Sequence, residues 1–313
     1  MTTCQSGGYM ITHRLYGFSG IPNIKYYYVF LFLLFIVSAL GNTVVMIIIC
    51  LDHTLRTPKY IAVFNLAFTD LFGSSALLPK VLDIFLFDHP YISYNDCLTF
   101  LFFYYTCFVM QPLNLVALAY DRMIAIIFPL HYHVKVTHRF MFSLIAFFWL
   151  FAVTVTLTAV GLLTRHSYCK SVVINSYFCD YGQIYRLACD DITPSFIYSA
   201  LLTVPILGLP LVFIMFTYIY IGYALTKVAT LKSHLSLVAI FFFPFIIAIT
   251  STGVINPNAR IINLSLTSAF PPSLNPIIYV LQTKEIKESC FFQFYVFCIN
   301  CIKVKQALLI LEL

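Results

Sequence analysis

Charged side chains are scarce in this sequence: Asp, Glu, Lys and Arg make up only 10% of the 313 residues, whereas 61% of the residues are hydrophobic. So few charges cannot cover the surface of water-soluble domains of this total size. The composition therefore excludes an ordinary soluble protein and predicts a chain that is surrounded mainly by lipid.

Other patterns are absent as well. Alternating polar and apolar segments of about 10 residues, which a membrane β-barrel needs, do not occur. The sequence also lacks the internal repeat that the two halves of a transporter leave. The net charge of +6 reflects Lys and Arg near the ends of apolar runs rather than a basic patch, so no nucleic-acid partner is predicted.

Long uncharged runs dominate instead. A bilayer core about 30 Å thick requires about 20 apolar residues in a helix, and seven segments are of that order, with only Asp70 and Lys80 interrupting the second. They predict an all-α membrane protein with a seven-transmembrane helix bundle, and the first run is too long for a cleaved signal peptide. The predicted spans 1 to 7 are residues 26–51, 59–83, 97–121, 140–164, 194–221, 235–256 and 261–282.

The distribution of Lys and Arg predicts the orientation. With the amino terminus outside, eleven of the 18 Lys and Arg residues lie in the inner loops or the tail, as the positive-inside rule requires. We therefore expect an extracellular amino terminus at 1–25, the helix bundle at 26–283, and a cytoplasmic tail at 284–313 that begins with a short amphipathic helix.

The cysteines agree with this orientation. Four of them fall on the predicted outer side, where oxidising conditions allow disulfides to persist; they are Cys97, Cys169, Cys179 and Cys189. Their positions in the sequence leave all three pairings open. Three more follow span 7 on the inner side, where palmitoylation and an unmodified thiol both remain open; they are Cys290, Cys298 and Cys301.

Polar groups inside a membrane are costly and tend to mark function, and here they form a recognisable series. In chain order the motifs are Gly41-Asn42, Leu66-Ala67-Phe68-Thr69-Asp70, Leu118-Ala119-Tyr120-Asp121-Arg122, Trp149 and Asn275-Pro276-Ile277-Ile278-Tyr279. Together they resemble the rhodopsin-like G-protein-coupled receptors over almost the whole chain.

Further motifs are more specific and resemble the odorant receptors within that group. They are Leu55-Arg56-Thr57-Pro58-Lys59-Tyr60, Pro129-Leu130-His131-Tyr132, Lys232-Ser233-His234-Leu235 and Pro271-Pro272-Ser273-Leu274-Asn275-Pro276. The resemblance implies a plasma-membrane receptor without enzymatic activity, cofactor or metal. Its partners would be a small-molecule odorant and a heterotrimeric G protein of the stimulatory olfactory type, which raises cyclic AMP. It also implies disulfides joining Cys97 to Cys179 and Cys169 to Cys189.

A switch is expected at the inner end of span 3, because an unpaired arginine there costs several kcal/mol unless it finds a partner or water. By resemblance, Asp121 and polar groups near His234 hold Arg122 in the inactive state, and activation releases it to the G protein. Pro276 removes a backbone hydrogen bond in span 7, so the segment ending at Tyr279 is the expected hinge.

Two further sites are expected within the bundle. Asp70 should pair with Asn42 and Asn275 around sodium or water, because a lone carboxylate in the membrane seeks donors. The ligand pocket should occupy the outer half, between spans 3, 5, 6 and 7, and suit small organic ligands rather than large peptides. Counting helical turns from Arg122 gives the span 3 candidates Tyr104, Tyr105, Phe108 and Gln111, and the resemblance implies Thr203, Ile206, Phe242, Phe245 and Ile249 on spans 5 and 6.

The sequence departs from the odorant-receptor pattern in places. Met123 and Phe128 replace the usual tyrosine and cysteine, and residues 220–234, which include the third inner loop, are about ten residues shorter than the resemblance leads us to expect. Because that loop faces the G protein, a variant that does not couple remains an alternative.

Other classes fit less well. An intramembrane protease would need Asp70 and Asp121 at one site, but they lie at different depths. The spacing of His131, His133 and His138 matches no zinc pattern. A rhodopsin-like receptor for an amine or a peptide is the nearest rival, and the absence of a charged residue from the outer half of span 3 argues against an amine site.

Overall fold

The computed structural model describes residues 12–15, 23–86, 91–168, 173–174, 176, 178–224, 257–282 and 285–289. Five helices in that part of the chain are long and apolar enough to cross a membrane, and a further long helix covers span 7. The span helices are Ile24–Leu51 (span 1), Pro58–Leu86 (span 2), Tyr94–Ile127 (span 3), His138–Arg165 (span 4), Thr193–Ala224 (span 5) and Pro257–Gln282 (span 7). The predicted span 6, 235–256, lies outside the described residues.

Span 5 changes its helical type midway. An α-helix, Thr193–Thr203, continues through a π-helical segment, Val204–Gly208, into a second α-helix, Leu209–Ala224. Pro205 lies inside the π segment, and proline has no N–H to complete the regular ladder. Such a bulge rotates the side chains that follow it and often marks a functional region.

The helix ends extend beyond the predicted spans. Span 3 begins at Tyr94 because the Ser93 side chain accepts a hydrogen bond from the Asp96 backbone N–H (3.1 Å), which satisfies an otherwise unpaired donor of the first turn. Thr137 caps span 4 in the same way through Phe140 N–H (3.2 Å). A charge-free run therefore predicts which residues lie in the hydrocarbon core, whereas the capping residues determine where the helix begins.

Span 3 lies at the centre of the bundle. Two-thirds (67%) of its most apolar segment is buried, compared with 22% for span 1. Its buried side chains, such as Met110 and Leu118, pack into the largest core cluster with residues of spans 1, 2, 4, 5 and 7. Spans 1, 4 and 5 instead expose large apolar side chains, including Leu40 (64%) and Leu150 (67%). Such faces are stable only against lipid.

A small outer sheet supplements the helices, which the expectation of an all-α protein did not include. Strand β1 (Thr12–Leu15) lies between β2 (Tyr91–Ser93) and β3 (Val173–Ile174), antiparallel to β2 and parallel to β3. The amino-terminal segment is therefore on the same side of the bundle as the loops before span 3 and after span 4. This agrees with an extracellular amino terminus.

The start of the tail matches its prediction as an amphipathic helix. Residues 285–289 are helical, and Ile286 is fully buried in the core cluster while Lys287 is exposed. Ser289 hydrogen-bonds to Asp52 in the first inner loop. The hydrogen bond from Ser289 and, to a smaller extent, those from Thr54 lower the pKa of the Asp52 carboxyl.

Spans 1 and 7 approach each other closely at Gly41. A Cβ atom on this residue would lie 2.7 Å from Cγ of Pro276, which is closer than van der Waals contact allows. We expect Gly41→Ala to destabilise the protein by about 1–3 kcal/mol. Thermal unfolding of the purified protein in detergent measures this change.

The matched control is Gly161→Ala in span 4, where a Cβ atom would meet nothing within 4 Å. Alanine has the higher helix propensity by about 1 kcal/mol, so this variant should unfold at the same temperature or slightly higher. Equal unfolding temperatures for the two variants would contradict the close packing of spans 1 and 7.

Candidate ligand and coupling sites

A cavity of about 230 Å³ lies between spans 3, 4 and 5, beneath the second outer loop. Four of the predicted ligand residues line it: Tyr105 and Phe108 from span 3, and Thr203 and Ile206 from span 5. Thr203 ends the first α-helix of span 5 and Ile206 belongs to its π segment. The change of helical type therefore helps to set which side chains of span 5 face the cavity.

Two other predicted ligand residues, Tyr104 and Gln111, lie outside the lining of this cavity. Tyr104 stacks on Phe100 (5.5 Å between ring centroids) and packs against Phe178 (5.3 Å), so it belongs to an aromatic cluster beside the cavity. Gln111 donates to Asp70 instead of lining the cavity. The span 6 candidates Phe242, Phe245 and Ile249 lie outside the described residues.

The cavity also has lining residues that the sequence reasoning missed. Span 4 contributes Thr156, the second outer loop contributes Tyr181, and span 5 contributes Tyr198 and Ser199. Ser199 lies one helical turn before Thr203 and could have been found by that spacing. No pattern in the sequence shows that span 4 approaches the ligand site.

A disulfide fixes the roof of the cavity. Cys97 in the first turn of span 3 is bonded to Cys179 in the second outer loop, as the resemblance implied. The next residue, Asp180, accepts from the Tyr105 hydroxyl (3.2 Å) and from Gly182 N–H (3.1 Å). Cys189 is also disulfide-bonded, and its expected partner Cys169 lies outside the described residues.

A second set of contacts joins the ends of spans 4 and 5. His166 bonds to Asp190 through Nδ1 (2.8 Å) and to Ser195 through Nε2 (2.8 Å). The order of the three groups is that of a Ser-His-Asp triad. However, Ser195 is completely buried, so no substrate can reach its hydroxyl. The three residues therefore anchor the loop to span 5.

The polar core is centred on Asp70, which is completely buried. One carboxylate oxygen accepts from Asn275 Nδ2 (2.5 Å) and the other from Gln111 Nε2 (3.1 Å). Asn42, which we expected beside Asp70, donates to the Pro272 carbonyl (2.9 Å) and so links span 1 to span 7. The partners of Asp70 are thus Asn275 and Gln111, because Asn42 is occupied by a backbone carbonyl.

A separate polar network links spans 2, 3 and 4 and was not predicted. Trp149 Nε1 donates to Asn65 Oδ1 (2.9 Å), Asn65 Nδ2 donates to Asn114 Oδ1 (2.5 Å), and Asn114 Nδ2 donates to Thr69 Oγ1 (3.0 Å). Each buried amide thereby has a partner, which avoids the penalty for an unsatisfied polar group. This network explains why the single tryptophan faces the bundle.

At the inner end of span 3, the contacts of Asp121 and Arg122 differ from those expected. Asp121 is buried and accepts from the Tyr132 hydroxyl (2.6 Å), and burial together with this bond raises the pKa of Tyr132. Arg122 forms no ion pair with Asp121, and its buried Nε has no hydrogen-bond partner among the described residues. His234, the other expected partner, lies outside the described residues.

The surroundings of Arg122 are polar. Tyr218 of span 5 and Tyr279 of span 7 are near enough to interact with it electrostatically, and so is Lys59 at the start of span 2. The Tyr279 hydroxyl, like Arg122 Nε, is buried without a hydrogen-bond partner in the described part of the chain. Spans 2, 3, 5 and 7 therefore converge on Arg122.

Comparison with known proteins gives consistent matches. Residues 31–296 match the family described as olfactory receptor. Olfactory receptor 1500 of Rattus norvegicus is 31% identical, covering 86% of this chain and 91% of its own length. Olfactory receptor 1E16 of Mus musculus is 32% identical, with 83% and 87% covered. The crystal structure of squid rhodopsin matches with a TM-score of 0.72 at 18% identity, over 91% of this chain and 89% of that one, which supports the fold.

Proposed function

Because the chain belongs to the olfactory receptor family, we propose that it detects a small apolar odorant in the cavity between spans 3, 4 and 5. We further propose that it signals through a stimulatory G protein of the olfactory type, which raises cyclic AMP. Members of this family are multi-pass G-protein-coupled receptors of the plasma membrane and are not enzymes.

The observation that carries the ligand proposal is the cavity itself. Its walls are mostly apolar, with a few hydroxyl groups, and the disulfide-linked outer loop closes it above. Its volume of about 230 Å³ lies below the range of roughly 300–1,000 Å³ that holds drug-sized molecules. A compact organic molecule fits such a site, whereas a peptide does not.

Signalling requires that the odorant bind the active arrangement more tightly than the inactive one. The cavity contacts spans 3 and 5, and Arg122 and Tyr218 lie on the inner halves of the same two spans. A shift of span 5 relative to span 3 would therefore change both sites. The residues proposed for the switch are Asp121, Arg122, His234 and Tyr279.

The test uses cells that lack endogenous stimulatory α subunits and display an amino-terminally tagged receptor. We expect a panel of small apolar odorants to raise cyclic AMP only after the stimulatory olfactory α subunit is supplied. A calcium signal or a fall in cyclic AMP instead would refute the stimulatory coupling. Normal surface display with no response through any supplied α subunit would favour the alternative of a non-coupling variant, which the short third inner loop suggests.

A further inference from the structure

Five of the six hydroxyl side chains in the lining of the odorant cavity have already used their hydrogens. Thr156 donates to the Ala152 carbonyl (2.8 Å), Ser199 to the Phe196 carbonyl (2.8 Å) and Thr203 to the Ser199 carbonyl (2.9 Å). A carbonyl oxygen only accepts hydrogen bonds, so the direction of each of these bonds is certain.

Two of the three tyrosines in the same lining behave alike. Tyr198 donates to the Val155 carbonyl (2.8 Å), and Tyr105 donates to the Asp180 carboxylate (3.2 Å). Tyr105 additionally accepts from Tyr181 N–H (3.3 Å). The hydroxyl of Tyr181 faces Ser195, although it has no hydrogen bond of ordinary geometry to a described residue.

A hydroxyl has one hydrogen and two lone pairs. Once its hydrogen is given to the protein, it can offer a ligand only a lone pair. These five hydroxyl groups therefore have only lone pairs left to offer a ligand, and apart from Tyr181 the other side chains of the lining are apolar.

From this arrangement we propose that the receptor selects odorants that carry a hydrogen-bond donor, namely alcohols and phenols, over ketones, aldehydes, ethers and esters of the same shape. An alcohol gives its hydrogen to one of these lone pairs when it enters. A ketone of equal size brings only an acceptor, so its oxygen is desolvated without a partner. This inference rests on the proposed function of the cavity.

The test compares pairs that differ only in oxidation of the oxygen-bearing carbon: cyclohexanol with cyclohexanone, menthol with menthone, and borneol with camphor. Cyclic AMP in cells and thermal stabilisation of the purified receptor are measured for both members of each pair. Because an unpaired buried polar group is costly, the alcohol should be at least about tenfold more potent by both measurements.

Variants identify the groups responsible. The triple variant Thr156→Val, Ser199→Ala and Thr203→Val removes three of the five acceptors and leaves those of Tyr105 and Tyr198, so it should lower the potency of the alcohol relative to that of the ketone. The matched control is Thr154→Val, because Thr154 makes the same bond to a carbonyl of its own helix (Leu150, 2.8 Å) but on an exposed face. The control should retain the preference.

Two results would overturn the inference: ketones as potent as their alcohols in the unchanged receptor, or a preference for the alcohol that is as large in the triple variant as in the unchanged receptor. A different failure concerns the cavity itself. If no member of any pair stabilises the purified receptor or raises cyclic AMP at normal surface display, the proposal that this cavity receives odorants is refuted. Binding without cyclic AMP refutes the coupling alone and leaves the donor preference measurable.

Discussion

An Arg122→Ala receptor should reach the cell surface in normal amounts and bind odorant, yet lose its cyclic AMP response. The Nε atom of Arg122 is buried without a hydrogen-bond partner among the described residues. Removing the side chain therefore breaks no hydrogen bond between Nε and a described residue, while it removes the donor that the G protein would bind. Hydrogen bonds to charged groups contribute about 1.5–3 kcal/mol, so potency should fall at least about tenfold.

Arg139→Ala is the matched control. Arg139 lies at the inner start of span 4 and is exposed, so its loss should leave the response unchanged at equal surface staining. Thermal stabilisation of the purified Arg122→Ala receptor by odorant separates binding from coupling. If that variant signals normally, the switch is not at Arg122; if it fails to reach the surface, Arg122 contributes to folding instead.

Much of the fold follows from the sequence because membrane insertion imposes a simple requirement on it. A segment must be apolar for about 20 residues to cross the bilayer, and every described long helix coincides with such a run. The helix ends do not follow from this rule. Asp96 lies in the first turn of span 3 and Arg122 in its last part, because the helix continues beyond the hydrocarbon into the interfaces.

The outer sheet could not be predicted for a different reason. Its strands are two to four residues long, too short to show a period of two. The pairing of Thr12–Leu15 with strands about 80 and 160 positions later is set by how the helix ends are arranged. Only the assembled bundle brings these segments together.

The site was predicted in part, and Gln111 shows where sequence reasoning failed. It follows Phe108 by three residues, which places the two side chains about 60° apart on the helix. That difference suffices to turn Phe108 to the cavity and Gln111 to Asp70. Counting turns identifies a face of span 3, but the neighbour that each residue meets depends on how the helices pack.

Cys97→Ala should nearly abolish surface display of the receptor. The disulfide with Cys179 joins residues 82 positions apart, and losing a native disulfide typically costs about 2–5 kcal/mol. That is a large share of the roughly 5–15 kcal/mol by which proteins are stable. We expect staining of an amino-terminal tag on intact cells to fall severalfold, with most of the receptor retained inside.

Combining the two cysteine variants tests the Cys97–Cys179 bond more directly than either single variant does. Cys179→Ala should match Cys97→Ala, and the double variant should be no worse than either one, since all three lack the same bond. Cys50→Ala provides the control, because Cys50 is an unpaired, exposed thiol, and it should leave staining unchanged. Additive losses in the double variant would mean that the two cysteines act separately. In that case the roof that places Asp180 over Tyr105 does not depend on the bond between them.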